Sequence, residues 1–347
     1  YLADSVNAVT HGRGDFTSMA GPGGPSRRLE EAENTWEPLG PFQSSMPLYS
    51  RAYPNGKRVI WVGGYDRIAK LDADTLETLT TYAIGGNTYF GEEETRRAVD
   101  KMDRLDDAEL VKYNLKLWEE TWPVLPSWYR VLSQDNELYM SHRNADGSIA
   151  IRVYGEVDAD DPASKIKLRR TWQVPVEVSA GAFPFGMHMT SDGTLVVVLQ
   201  NGALIALSRD FKNSNIVMLP NKSADAQSGD IFKSFVRNAL ATDDQNGIYV
   251  VTRDNLHRVQ WTGTKLSFDP ADGAWAAPYP NEKGFGSGTT PALMGWGPNE
   301  DHLVVIADAT RNNNMVAFWR DKIPDDWKGL PGHDRRVAAI TPIRFGG

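Results

Sequence analysis

Cysteine is absent from the 347 residues. Disulfides, thiolate metal sites and a cysteine nucleophile are therefore excluded together. No apolar run approaches the roughly 20 residues that a membrane-spanning helix needs; Val196-Val197-Val198-Leu199 is of strand length only. An excess of basic charge is also missing. Lys and Arg number 37 against 45 Asp and Glu, a formal net charge of −8, and no long basic run occurs. Nucleic acid is thus not an expected partner, because binding its phosphates needs clustered cations. The six histidines show neither His-x-x-x-His nor His-Glu-x-x-His zinc spacing. Gly284-Phe285-Gly286-Ser287-Gly288 lacks the strand-turn-helix setting of a nucleophilic serine and the lysine of a phosphate loop.

What the chain does have is 11 Trp, 12 Tyr and 12 Phe beside 31 Gly and 20 Pro. Aromatic residues with many turn formers favour a many-stranded protein over a helical one. Residues 1–45 read as an irregular arm. His11-Gly12-Arg13-Gly14-Asp15 and Gly21-Pro22-Gly23-Gly24-Pro25 supply turns and little periodicity. The chain opens on Tyr1, for which a cleaved signal peptide and a truncated sequence are alternative explanations. The expectation taken forward is an exported protein, periplasmic or extracellular.

From residue 46 onward a grammar repeats: a short strand, a polar turn, an apolar strand, and one or two further strands. Gly186-Met187-His188-Met189-Thr190, Ser191-Asp192-Gly193 and Leu195 to Leu199 form one copy. Asn238 to Thr242, Asp243 to Gly247 and Ile248 to Val251 form the next, and Thr290 to Met294 with Leu303 to Ile306 another. Thr190, Thr242 and Met294 recur at a constant step of 52 residues. One such sheet cannot bury both faces alone, and radial packing of copies solves this. The fold expected over 46–347 is an all-β propeller of four-stranded blades. Five first strands are visible, and a complete ring is expected to hold six or seven, within the range of about four to eight that propellers use. A second chain, or sequence beyond this one, would then complete the ring.

One stretch breaks the pattern. Gly91 to Trp122 is charged, with Ala98, Met102, Leu105, Leu110, Leu115 and Leu117 as an apolar stripe at helical spacing. It reads as a helical insertion at about 91–122. It serves either as surface decoration, or as a lid over one face or a docking element for a partner chain or an oligomer.

Ligands of such rings sit at the mouth of the central channel. The expected substrate-binding residues are Tyr65, Arg237 and Thr290, at strand starts and strand exits. Asp308 ends an apolar strand and is a candidate metal ligand, or else a turn starter. His188, on an innermost strand, is the candidate that orients or deprotonates water; its alternative is a core histidine satisfied internally.

The segment Asn238-Ala239-Leu240-Ala241-Thr242-Asp243-Asp244 resembles the inner-strand motif of gluconolactonase-like and strictosidine-synthase-like propellers. That resemblance implies that Asn238 is a ligand of a divalent, Ca²⁺-like cation. It further implies a small molecule bound at the channel mouth and metal-assisted hydrolysis of a lactone or ester. Leu71-Asp72-Ala73-Asp74-Thr75-Leu76-Glu77 is similar to the Leu-Asp-x-x-Thr turn of quinoprotein-like propellers, which implies oxidoreductase chemistry as a further alternative. The reading from a different class is a non-catalytic interaction scaffold, a subunit of a larger assembly.

Overall fold

Strands of two to eight residues, joined mostly by short polar turns, pair with their neighbours in sequence to make a sheet, and they do so five times over. The computed structural model describes residues 47–84, 91–121, 126–227, 230 and 233–344. The expected arm at 1–45 lies outside them.

The first blade holds β1 (Leu48–Tyr49), β2 (Val59–Gly63), β3 (Arg67–Asp72) and β4 (Thr78–Ala83). The second holds β5 (Pro126–Leu132), β6 (Leu138–Arg143), β7 (Ile149–Glu156) and β8 (Ile166–Gln173). The third holds β9 (Pro184–Met189), β10 (Leu195–Leu199), β11 (Ala203–Leu207) and β12 (Ser214–Met218). The fourth holds β13 (Ala241–Thr242), β14 (Gly247–Val251), β15 (Asn255–Trp261) and β16 (Leu266–Ser267), with β17 (Trp275–Pro278) also paired to β15. The fifth holds β18 (Ala292–Met294), β19 (Leu303–Ala307), β20 (Asn314–Trp319) and β21 (Val337–Pro342). Each sheet is antiparallel and each blade is one uninterrupted stretch of chain. The chain is a β-propeller.

The turns explain the tight meander. Between β9 and β10, Thr190 N donates to Thr194 O and Gly193 N to Thr190 O, both at 3.0 Å. Gly193 takes φ of 85°, a conformation open to glycine. The Asp192 carboxylate receives Thr190 Oγ1 at 2.6 Å and, from the next blade, Trp261 Nε1 at 2.9 Å. Burial opposes its charge, but these donors hold its carboxyl below the usual range.

Core sits between blades. One apolar cluster joins the first and second blades, through Trp61, Ile68, Met140 and Tyr154. Others join the second to the third, the third to the fourth and the fourth to the fifth. This is why Leu195-Val196-Val197-Val198-Leu199 shows no alternation: both faces of β10 are covered, and all five residues are buried. The fifth blade differs. Burial along β19 and β20 alternates, with Val304, Ile306, Val316 and Phe318 packed on the fourth blade. The opposite face carries Leu303, Val305, Ala307, Ala317 and Met315, half-exposed or, for Met315, 48% exposed. Among the described residues no cluster joins the fifth blade to the first.

Between the first two blades lie helices α1 (Glu92–Met102) and α2 (Asp107–Thr121). Glu94 Oε2 accepts from Gly91 N at 2.8 Å at the start of α1, and Asp106 Oδ1 accepts from Glu109 N at 2.9 Å at the start of α2. Lys101 Nζ lies 4.6 Å from the Tyr113 ring centroid and ties the two together. A single helical turn, α3 (Val176–Ser179), links the second blade to the third.

Candidate functional site

Close approach of the innermost strands is a matter of small residues. A Cβ on Gly186 would lie 2.8 Å from Ala239 Cα and 3.0 Å from Leu240 N. Only glycine lets the third blade meet the fourth there. Ser127 Oγ reaches Phe185 O at 3.3 Å and ties the second blade to the third.

Where these strands begin, three blades meet through one amide. Asn238 precedes β13 of the fourth blade. Its Oδ1 accepts from Tyr129 Oη of β5, from Thr290 Oγ1 at 3.0 Å and from Ala239 N at 2.8 Å. Its Nδ2 donates to Gly288 O. Tyr129 belongs to the second blade, and Thr290 leads into the fifth. Burial raises the Tyr129 pKa, so its hydroxyl stays protonated and donates. Arg237, next in the chain, donates Nη1 to Phe285 O at 3.0 Å, and burial holds its pKa below the ordinary value. The segment 284–288 is strapped to the fourth blade. Arg253 Nε reaches Gly284 O at 2.5 Å, and Gly286, at φ of 75°, lies so close to Arg253 that a Cβ would come within 2.8 Å of its backbone. The glycines thus allow close approach of the protein to itself.

The structure brings together Asn238 and Thr290, with Arg237 beside them. It places the other candidates elsewhere. Tyr65 sits in the β2–β3 turn of the first blade, 3% exposed, its pKa raised by burial and by Asp66. His188 is 1% exposed, and its Nδ1 lies 2.9 Å from Met189 O and 2.8 Å from Thr242 Oγ1. That ring therefore joins the third and fourth blades. Side chains on a strand stand perpendicular to the sheet; in a propeller both sheet faces point at neighbouring blades, and the channel meets the strand's edge. Met187 and Met189 face the second blade for the same reason.

Asp308 is enclosed in the β19–β20 turn. Its Oδ1 accepts from Thr310 N at 3.2 Å, Thr310 Oγ1 at 2.9 Å and Asn314 N at 2.8 Å, and its Oδ2 from Asn314 Nδ2 at 2.5 Å. A cation needs carboxylate or amide oxygens with free lone pairs. The oxygen of Asn238 serves three donors and both oxygens of Asp308 serve their own turn, so these residues do not fit the expected metal. Among the described residues there is no group of three or more His, Asp or Glu placed to hold an ion. Nor, among the described residues, is any helix long and apolar enough to cross a membrane.

Sequence reasoning missed Tyr129 as a partner of Asn238. It lies 109 residues away, and no local pattern pairs the two. It also missed the buried pair Lys70 and Glu156, whose Nζ and Oε1 are 2.5 Å apart between the first and second blades. A lysine and a glutamate at strand positions otherwise apolar were the available signal.

No protein-family profile matches the chain. An uncharacterized protein of Archaeoglobus fulgidus is 28% identical over 352 residues, covering 99% of this chain and 58% of its own. The chain therefore spans a little over half the length of that curated relative. Among solved structures, catalytically inactive virginiamycin B lyase from Staphylococcus aureus with quinupristin superposes with a TM-score of 0.43 at 13% identity, over 79% of this chain and 67% of that one. BBS1N in complex with ARL6DN gives 0.44 at 11% identity, over 80% and 66%. A protein of unknown function from Bacteroides caccae gives 0.37 at 11%, over 82% and 73%. All three scores lie below 0.5, so the β-propeller fold rests on the chain's own five antiparallel sheets.

Proposed function

We propose that this propeller is a non-catalytic interaction scaffold, a subunit of a larger assembly. The observation that carries this reading is how its side chains are spent. His188, Asn238 and Asp308 hold blades and turns together, whereas apolar side chains are left outward on the inserted helices. Val111 and Leu115, one turn apart on α2, are 57% and 58% exposed. Exposed apolar side chains at i and i+4 form the stripe by which a helix docks onto a partner. The half-exposed face of the fifth blade adds a second such surface.

The test is cross-linking of the tagged chain with its co-purifying proteins, beside the Val111→Glu, Leu115→Glu double variant. A stoichiometric partner cross-linked to α2 and lost in that variant, at unchanged melting temperature, is the expected result. Turnover of lactones or esters that His188→Ala abolishes would overturn it. The same reading expects no stoichiometric divalent ion by metal analysis and no change of melting temperature with EDTA.

A second reading, small-molecule binding without chemistry, is favoured by one observation. Tyr129, Asn238, Thr290 and Arg237 are all half-buried polar groups drawn from the inner ends of three blades. Such a binder would lose its ligand on Thr290→Val, which removes one hydroxyl from the cluster and keeps its volume.

A further inference from the structure

Between the fourth and fifth blades a groove of about 710 Å³ opens away from the Asn238 cluster. Gln245, Arg258 and Trp275 line its fourth-blade side, and Arg320, Asp321 and Arg336 line the fifth. Three guanidinium groups in one groove of an acidic protein call for an account of their counter-charges.

Arg258 has one. Its Nη2 lies 3.3 Å from Asp243 Oδ2, and its Nε and Nη1 donate to Tyr249 Oη and Gly273 O. Arg320 shares Asp321 at 3.7 Å with His302, whose Nδ1 is nearer at 2.6 Å. Its guanidinium lies 4.4 Å from the Trp296 ring centroid. Asp272, the other acid of the lining, accepts from Ser267 Oγ at 2.5 Å.

Among the described residues, Arg336 has no carboxylate within ion-pair distance. Its Nη1 donates to two backbone carbonyls, Trp319 O at 2.7 Å and Asp321 O at 3.0 Å. Its Cζ lies 4.5 Å from the Trp275 ring centroid. Among the described residues, Nε and Nη2 hold no hydrogen bond, and neither is sealed from solvent. Burial holds the pKa of this group below the ordinary arginine value; the Asp334 and Asp321 carboxylates pull it back up from beyond ion-pair distance, and Arg258, a like charge, pushes it down. A guanidinium remains charged at any working pH. A half-buried cation with part of its fork free is a matched receptor for a planar or tetrahedral oxyanion.

We propose that this groove binds the oxyanion of a small molecule, a carboxylate or a phosphate, on the free side of the Arg336 fork beside Trp275. Gln245, on the exposed rim and without a side-chain hydrogen bond among the described residues, flanks the bound group. The inference stands apart from the scaffold reading, since it uses none of the same residues.

The experiment is isothermal titration of the 347-residue chain with inorganic phosphate and, separately, with citrate, against chloride at equal ionic strength. Saturable binding of at least one is expected, at least tenfold weaker in Arg336→Gln. Gln245→Glu places a negative charge on the rim without disturbing any hydrogen bond, and weakens binding as well. Preference for phosphate over citrate assigns a phosphate ligand, and the reverse a carboxylate. Absence of saturable binding by either anion overturns the proposal, as does binding that both variants leave unchanged. Should Arg336→Gln fail to fold, Gln245→Glu decides alone.

Discussion

Lys70 and Glu156 face each other with side chains 0% and 2% exposed. The Tyr53 hydroxyl donates to the same carboxylate. Burial pushes the lysine pKa down and the carboxyl pKa up, against the pull of the pair itself. Removing one member strands the other charge, which costs about 3–5 kcal/mol. Glu156→Gln is therefore expected to destabilise by that amount in chemical denaturation. Replacing both, Lys70→Met with Glu156→Leu, is expected to be near neutral. A second residue carries a pH dependence. His257 is 1% exposed, and burial lowers its pKa from 6.5 to about 4. Between those values the unfolded chain binds a proton that the folded chain refuses, so acid favours unfolding. The contribution is whole above pH 6.5 and is lost as the pH falls toward 4, by roughly 3 kcal/mol at 1.36 kcal/mol per unit. Buried His142 is shifted the same way. Urea denaturation at a series of pH values between about 7 and 4 should show stability falling, and His257→Gln should flatten the slope.

At the scale of the element, the contact of β9 with the segment before β13 depends on Gly186. Gly186→Ala would bring a methyl against the Ala239 and Leu240 backbone. Overpacking of this kind costs about 1–3 kcal/mol, read as a drop in melting temperature, with His188 and Thr242 forced apart at the same joint. Elements were the legible part of the sequence. Ser191-Asp192-Gly193 and Asp243 to Gly247 mark turns because turn chemistry is local. Gly91 to Trp122 stands out because a helical stripe differs in period from a strand. The site was legible only in fragments. Asn238 and Thr290 were singled out by position, but Tyr129 completes the cluster from the second blade, and a contact between residues so far apart leaves no trace in either neighbourhood. His188 was assigned to the channel on strand position, yet the direction of a side chain follows from which face of the sheet it occupies. Asp308, at a strand end, admits both a metal-ligand and a turn-starter reading from the sequence. Its turn partners Thr310 and Asn314 were beside it in the sequence, and they show that the turn-starter alternative describes its contacts.

At the scale of the molecule, the described residues form four apolar clusters that serve five blades. Stability in such an array is a sum over nearest neighbours, and the end member has one interface where the inner ones have two. Hydrogen exchange is therefore expected to be slowest in β10 and β14, covered on both faces, and faster in β20 and β21 of the fifth blade. Equal protection of the fifth blade and the third would show instead that the ring is closed. Because every blade, among the described residues, is built from one stretch of chain with no strand lent to its neighbour, a blade is also a unit of inheritance. Duplication or loss of a segment of about fifty residues adds or removes a whole sheet without unpairing a ladder, so the circumference of such a protein can change in steps while each joint keeps its fit.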